Sequence, residues 1–305
     1  AAFAELHSES DSGTVMQLQE RATQEHLLEE TREKMKNFAI KVVFTAHPTQ
    51  FYPNSVQRIL HDLRSPIMED SVTEIDMLLQ QLGKTPFVNK EKPTPLDEAM
   101  SIIFYLRYVY YDTIGELYKK IKNAFATDSF VPSQEMIQLG FWPGGDRDGN
   151  PFVTAEITQK VAAELHFSIL KSYYEHLKNV RRRLSFRGVS EILEKLSHHL
   201  YDAIFKEDQS IHSDEILKYL NEAKKIIVEK HNGLFLHLLE DFEDRVKIFG
   251  THFATLDIRQ DSRVHQGIID DILTKKSGLE IEKISEEEKL NWLLNTDLVL
   301  DPNDF

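Results

Sequence analysis

Three short segments, each ending in a cluster of polar residues, constrain this chain more than any other feature. Ile40–Ala46 reads IKVVFTA and stops at His47-Pro48. Leu139–Trp142 runs into Pro143-Gly144-Gly145, and Phe253–Ile258 alternates before Arg259-Gln260. β-branched and aromatic side chains suit a pleated surface, so each segment is expected as a short buried strand with polar residues at its carboxyl end. Helical patterns separate the three, which fits parallel strands of one sheet. In a strand–helix barrel the chemistry collects at the carboxyl ends of the strands, so the three polar motifs are expected around one cavity.

Most of the remaining chain reads as helix. Thr94, Pro95 and Asp97 form a helix start, because threonine caps, proline fits the first turn and an acid suits the third position. Behind them Ile102, Leu106, Val109 and Leu117 recur at helical spacing to about Lys120. A second helix is expected after Thr154, with the stripe Ile157, Val161, Leu165, Ile169, Tyr173, Leu177, Val180 and Leu184. A third runs from Ser190 toward Phe205, and a fourth from Ser213 to the Asn232-Gly233 stop. Ser285 with Glu288 makes a capping box for a last helix through Asn295. The polar stretch Lys84–Lys92 is the nearest thing to a linker.

Composition removes whole classes of function. The 305 residues are 41% hydrophobic and 28% charged, enough for a core and a soluble surface. A net charge of −14 argues against a nucleic-acid backbone as partner, since phosphate contacts need a basic face. The basic cluster Lys178, Arg181, Arg182, Arg183 and Arg187 sits near a predicted helix end, where cations complement the helix dipole and form a solvated face. The longest apolar runs, such as Ile102–Leu106, are far shorter than the roughly 20 residues of a membrane span, and no signal pattern opens the chain. The absence of cysteine excludes disulfides, thiol catalysis and cysteine-held zinc, and fits a reducing cytoplasm. Because the sequence starts at Ala1 rather than methionine, it is expected to be processed or cut from something longer.

Three motifs could carry chemistry. In Phe44-Thr45-Ala46-His47-Pro48-Thr49-Gln50, proline forces His47 into an extended conformation, and its imidazole could move a proton or hold an anion. A histidine that only hydrogen-bonds at the sheet edge is the alternative. Of the 13 histidines, the other twelve have no comparable context. In Gly144-Gly145-Asp146-Arg147-Asp148-Gly149-Asn150-Pro151, the glycines could let backbone amides turn toward an anion, with Arg147 adding charge and the next helix its N-terminus. An ordinary turn satisfies the same composition. A calcium loop would use Asp146, Asp148 and Asn150, but Pro151 stands where glycine is needed and Ile157 where a bidentate glutamate belongs. In Asp257-Ile258-Arg259-Gln260-Asp261, the guanidinium of Arg259 suits a phosphate or carboxylate, unless Asp257 or Asp261 claims it in a salt bridge.

Taken together the motifs resemble the phosphoenolpyruvate carboxylase family. FTAHPTQ looks like its active-site histidine signature, FWPGGDRDGNPFVTAEIT like its second glycine-rich block and RVKIFGTHFATLDIRQDSRVH like a third. KPTPLDEA fits between the first two, so the resemblance spans roughly residues 35 to 300. It implies a lyase that joins bicarbonate to phosphoenolpyruvate, giving oxaloacetate and phosphate, with magnesium or manganese. It also implies an eight-stranded (β/α) TIM barrel among many helices, in a cytoplasmic homotetramer that feeds the tricarboxylic acid cycle. Carried over by position, His47 is the essential histidine and Arg259 helps hold the phosphate-bearing anion. Gly144, Gly145, Asp146, Arg147, Asp148 and Asn150 line the same cleft.

The expected fold is therefore a predominantly α-helical α/β protein. It would hold about three short parallel strands of a partial barrel, with residues 1–305 forming one segment of the catalytic domain. Two departures qualify the resemblance. Pro53 and Asn54 stand where many members carry paired arginines associated with sugar-phosphate activation, so no such activation is expected. Family enzymes are also much longer: the metal ligands are expected outside this chain, no residue here is assigned as one, and the chain alone is expected to be inactive. A non-catalytic helical module and a calcium-binding helical protein are the competing readings.

Overall fold

A computed structural model describes residues 13–45, 52–88, 93–148, 150–206, 209–272, 274–275 and 284–295. Helices α1 (Val15–Gln24) and α2 (Leu28–Lys36) lead into strand β1 (Ile40–Phe44). Helices α3 (Asn54–Asp62), α4 (Arg64–Met68) and α5 (Val72–Lys84) follow. Helix α6 (Pro95–Tyr105) continues through a π-helical turn, Leu106–Tyr110, into α7 (Tyr111–Phe125), and strand β2 is Ile137–Phe141. Four long helices come next: α8 (Ala155–Arg183), α9 (Val189–Phe205), α10 (Ser213–His231) and α11 (Leu236–Phe249). Strand β3 (Thr255–Leu256), α12 (Ser262–Ile272) and α13 (Glu286–Asn295) complete the described elements. The chain divides into two compact units, one of residues 1–146 and 151–258, the other of residues 147–150 and 259–305.

Capping signals hold at single-residue accuracy. The Thr94 hydroxyl accepts from the Asp97 amide at 3.2 Å while the Asp97 carboxylate accepts from the Thr94 amide at 2.9 Å. Thr154 caps α8 in the same sense, at 3.3 Å from the Ile157 amide. Asn232 closes α10 in the left-handed conformation, and Ser285 and Glu288 form the box before α13. The stripe of α8 is the spine of the core of the first unit. Val161, Leu165, Ile169, Tyr173 and Leu177 are all at most 2% exposed, each contributing roughly 1.5–3 kcal/mol of burial. Around this helix pack α6, α9 and α11. At its far end Lys178, Arg182, Arg183 and Arg187 are solvent-exposed, while Arg181 is half-buried and stands 3.9 Å from Glu194.

The stripe expected for α6 and its continuation fails after Leu106. Ile102 and Leu106 are buried, but Val109 and Leu117 are exposed. The π turn inserts one residue, so the buried line passes instead through Tyr111, Ile114 and Tyr118.

The strands form one parallel sheet in the order β1–β2–β3, with Ile40 to Phe44 opposite Ile137 to Phe141, and Gly140 and Phe141 opposite Thr255 and Leu256. All three are shorter or shifted relative to the sequence reading, and β1 is not the buried strand expected. Ile40, Val42 and Val43 are exposed, since among the described residues β1 pairs on one side only and just Phe44 packs against the core. Three strands cannot close a barrel, and the described sheet is open.

Candidate active site at the carboxyl ends of three parallel strands

Parallel pairing brings the ends of all three strands to one edge of the sheet. The Trp142 amide donates to the Phe44 carbonyl at 2.9 Å, and the Asp257 amide donates to the Phe141 carbonyl at 2.9 Å. Thr45, the Trp142–Asp146 turn and Asp257-Ile258 therefore leave the sheet side by side. His47 follows Thr45 by two positions and lies outside the described residues, as does Gly149.

The glycines of the second motif serve close packing. Gly144 has φ +77°, and a β-carbon there would stand 2.5 Å from a Val161 methyl; its carbonyl accepts from the Thr158 hydroxyl at 2.7 Å. A β-carbon on Gly145 would lie 2.3 Å from the Asp257 carbonyl oxygen. Only glycine lets the turn after β2 sit against the backbone after β3. The amides of Gly145 and Asp146 both donate to the Trp142 carbonyl, at 2.8 and 2.9 Å. These two bonds close the turn. Asp146 itself is buried.

In the second unit the Arg147 amide donates to the Arg259 carbonyl at 2.8 Å, and the Asn150 amide donates to the Arg147 carbonyl at 3.4 Å. The Arg259 guanidinium lies 3.5 Å from the Asp148 carboxylate, with both side chains about half exposed. Asp257 pairs with Lys41 at 2.9 Å, and Asp261 pairs with Arg263 at 2.6 Å. Asp261 is held below the usual carboxylate range by hydrogen bonds from the Arg263 side chain and amide.

One feature of the sheet was missed from sequence. Lys41 reaches across β2 to Asp257, over Gly140, where a β-carbon would stand 2.7 Å from the lysine Cε. Glycine inside a strand is the signal that could have revealed this crossing. Among the described residues no three histidine, aspartate or glutamate side chains converge to hold a metal ion.

This is a helical α/β chain with three parallel strands whose carboxyl ends share one edge of the sheet. The family model for phosphoenolpyruvate carboxylase matches residues 3–211 and 190–299, and the chain belongs to that family of lyases. The phosphoenolpyruvate carboxylase of Aliivibrio salmonicida is 26% identical over 311 residues, covering 87% of this chain and 35% of that protein. That of Prochlorococcus marinus (strain MIT 9312) is 28% identical over 352 residues, covering 89% and 36%. The chain thus spans about a third of the length of the curated relatives it matches.

Proposed function

We propose that this chain supplies part of an active site that carboxylates phosphoenolpyruvate with bicarbonate, yielding oxaloacetate and phosphate within a longer polypeptide. The observation that supports it is the parallel register, which aligns the departures of the histidine, glycine and arginine motifs at one sheet edge in a member of the carboxylase family. In this reading a bicarbonate oxygen attacks phosphorus and the bond from phosphorus to the enol oxygen breaks. Carboxyphosphate and an enolate result. Carboxyphosphate then releases carbon dioxide and phosphate, and the enolate carbon attacks the carbon dioxide.

Charge at both stages is negative, so fixed cationic groups are needed where it develops and water must be excluded from the enolate. His47 acts on carboxyphosphate or on the carbon dioxide it releases. Arg259 holds the phosphate-bearing anion, exchanging its loose contact with Asp148 for a bidentate one. Gly144, Gly145 and Asp146 shape the turn, and Arg147, Asp148 and Asn150 line the cleft.

We read the three strands as neighbours in an eight-stranded barrel completed by the remainder of the polypeptide, because sequential parallel strands joined by helices are how such barrels are built. The reading extends to a cytoplasmic homotetramer using magnesium or manganese held by residues outside this chain. No described helix is long and apolar enough to cross a membrane. The test is His47→Asn in the full-length protein, which should abolish oxaloacetate formation while leaving the circular dichroism spectrum unchanged. Near-normal turnover would remove the assigned role. A sugar phosphate added to the unaltered enzyme should leave its half-saturation for phosphoenolpyruvate unchanged, Pro53 and Asn54 being the cap and first residue of α3.

A further inference from the structure

The π-helical turn at Leu106–Tyr110 interrupts an otherwise continuous helix from Pro95 to Phe125. A π turn sacrifices regular hydrogen bonding, so it persists only where surrounding packing favours the extra residue, and such turns concentrate at functional sites. Here the insertion separates two adjacent tyrosines. Tyr111 enters the core, where its ring meets Phe249 at 5.5 Å and Tyr173 at 6.1 Å. Tyr110 is left at the sheet, and its ring stands edge-on to Phe44 at 4.8 Å and 90°. Phe44 in turn leans on Phe141 at 6.4 Å, so three rings tie the π turn to the last residues of β1 and β2.

Phe44 is the last residue of β1, and its carbonyl accepts from the Trp142 amide. It is the one β1 residue that packs against the core. Beside the backbone ladder to β2, the rings of Tyr110 and Phe141 hold the side chain at the carboxyl end of β1. We propose that Tyr110, presented by the π turn, is a positioning residue that clamps the carboxyl end of β1, from which the histidine motif departs, for the carboxylation reaction; the inference rests on the functional reading above.

Edge-to-face aromatic geometry depends on ring shape, and the smaller, branched leucine cannot reproduce it. In the full-length enzyme Tyr110→Leu should lower kcat by about tenfold or more while the KM for phosphoenolpyruvate stays within about twofold, the pattern of lost alignment rather than lost binding. Tyr110→Phe, which keeps the ring, should restore both. Independently of activity, hydrogen exchange at the Trp142 amide should quicken about tenfold in Tyr110→Leu, since its acceptor belongs to Phe44. If Tyr110→Leu fails to fold, Phe44→Leu takes its place with the same two readouts expected. Unchanged kcat and unchanged exchange in a folded variant would overturn the inference. Unaltered enzyme lacking carboxylation would instead remove the functional reading and the positioning role with it, while the exchange measurement still judged the clamp.

Discussion

His176 sits among rings and charges in the core of the first unit, stacked on Phe242 at 4.9 Å and 3.8 Å from an Asp241 oxygen. Burial, then the Arg245 charge, pushes its imidazole down to about 4 against the opposing pull of Asp241. The 3.8 Å contact taken alone would suggest a charged pair, but Asp241 is already committed to the guanidinium of Arg245, so the neutral imidazole is the better account. Because the folded value lies below the unfolded one, the unfolded chain binds more protons between about pH 6.5 and 4. Stability from this group is complete above that window and is lost as pH falls through it, by up to about 3 kcal/mol. Urea midpoints across the window should decline in the native chain and decline less in His176→Phe, which keeps the stack. Parallel declines would show that other groups dominate.

Arg245 is 3% exposed and lies over the Tyr111 ring at 5.5 Å. Its guanidinium occupies the space beside Gly115, where a β-carbon would stand 2.4 Å from Cζ. Gly115→Ala therefore has to displace a buried ion pair, and a loss of about 3 kcal/mol in urea unfolding is expected. A loss under about half a kcal/mol would mean that the guanidinium moves freely.

Among the elements, α6 has the start the sequence specified best, and its continuation through the π turn into α7 is what the sequence specified worst. Thr94 and Asp97 bond reciprocally across the first turn, and that carboxylate is held below its usual range by the Thr94 hydroxyl and amide. Thr94→Ala should cost about 1 kcal/mol by chemical denaturation, a magnitude typical of lost N-caps; an unchanged midpoint would mean that the Asp97 carboxylate alone satisfies the turn. Beyond Leu106 the apolar period misleads. Val109 and Leu117 continue a regular pattern in sequence, yet the chain buries Tyr111, Ile114 and Tyr118 instead. Nothing within four residues encodes that shift. It is stabilised by rings and charges on Tyr173, Phe249 and Arg245, which arrive from distant helices.

For the molecule as a whole, the open sheet has consequences of its own. Phe38, Ile40, Val42 and Val43 are exposed on or beside β1, whose outer edge pairs with no described strand. Free edges with apolar side chains recruit other strands. The isolated 305-residue chain should therefore self-associate with rising concentration in sedimentation velocity, and Val42→Lys should suppress this. A concentration-independent monomer would show that the edge is protected. The same isolated chain should form no detectable oxaloacetate, and measurable product would contradict the fragment reading.

The capped helix starts at Thr94, Thr154 and Ser285, the stop at Asn232 and the existence of three parallel strands were legible in the sequence. Caps, turns and β-branched runs act over a few neighbouring residues, so local chemistry suffices to read them. Tertiary structure alone decided that Arg259 approaches Asp148 and that Lys41 crosses to Asp257, 216 residues away. It also decided that β1 lies exposed and that a π turn rotates the buried face of a helix. Each of these depends on which distant groups become neighbours, and no local propensity carries that information.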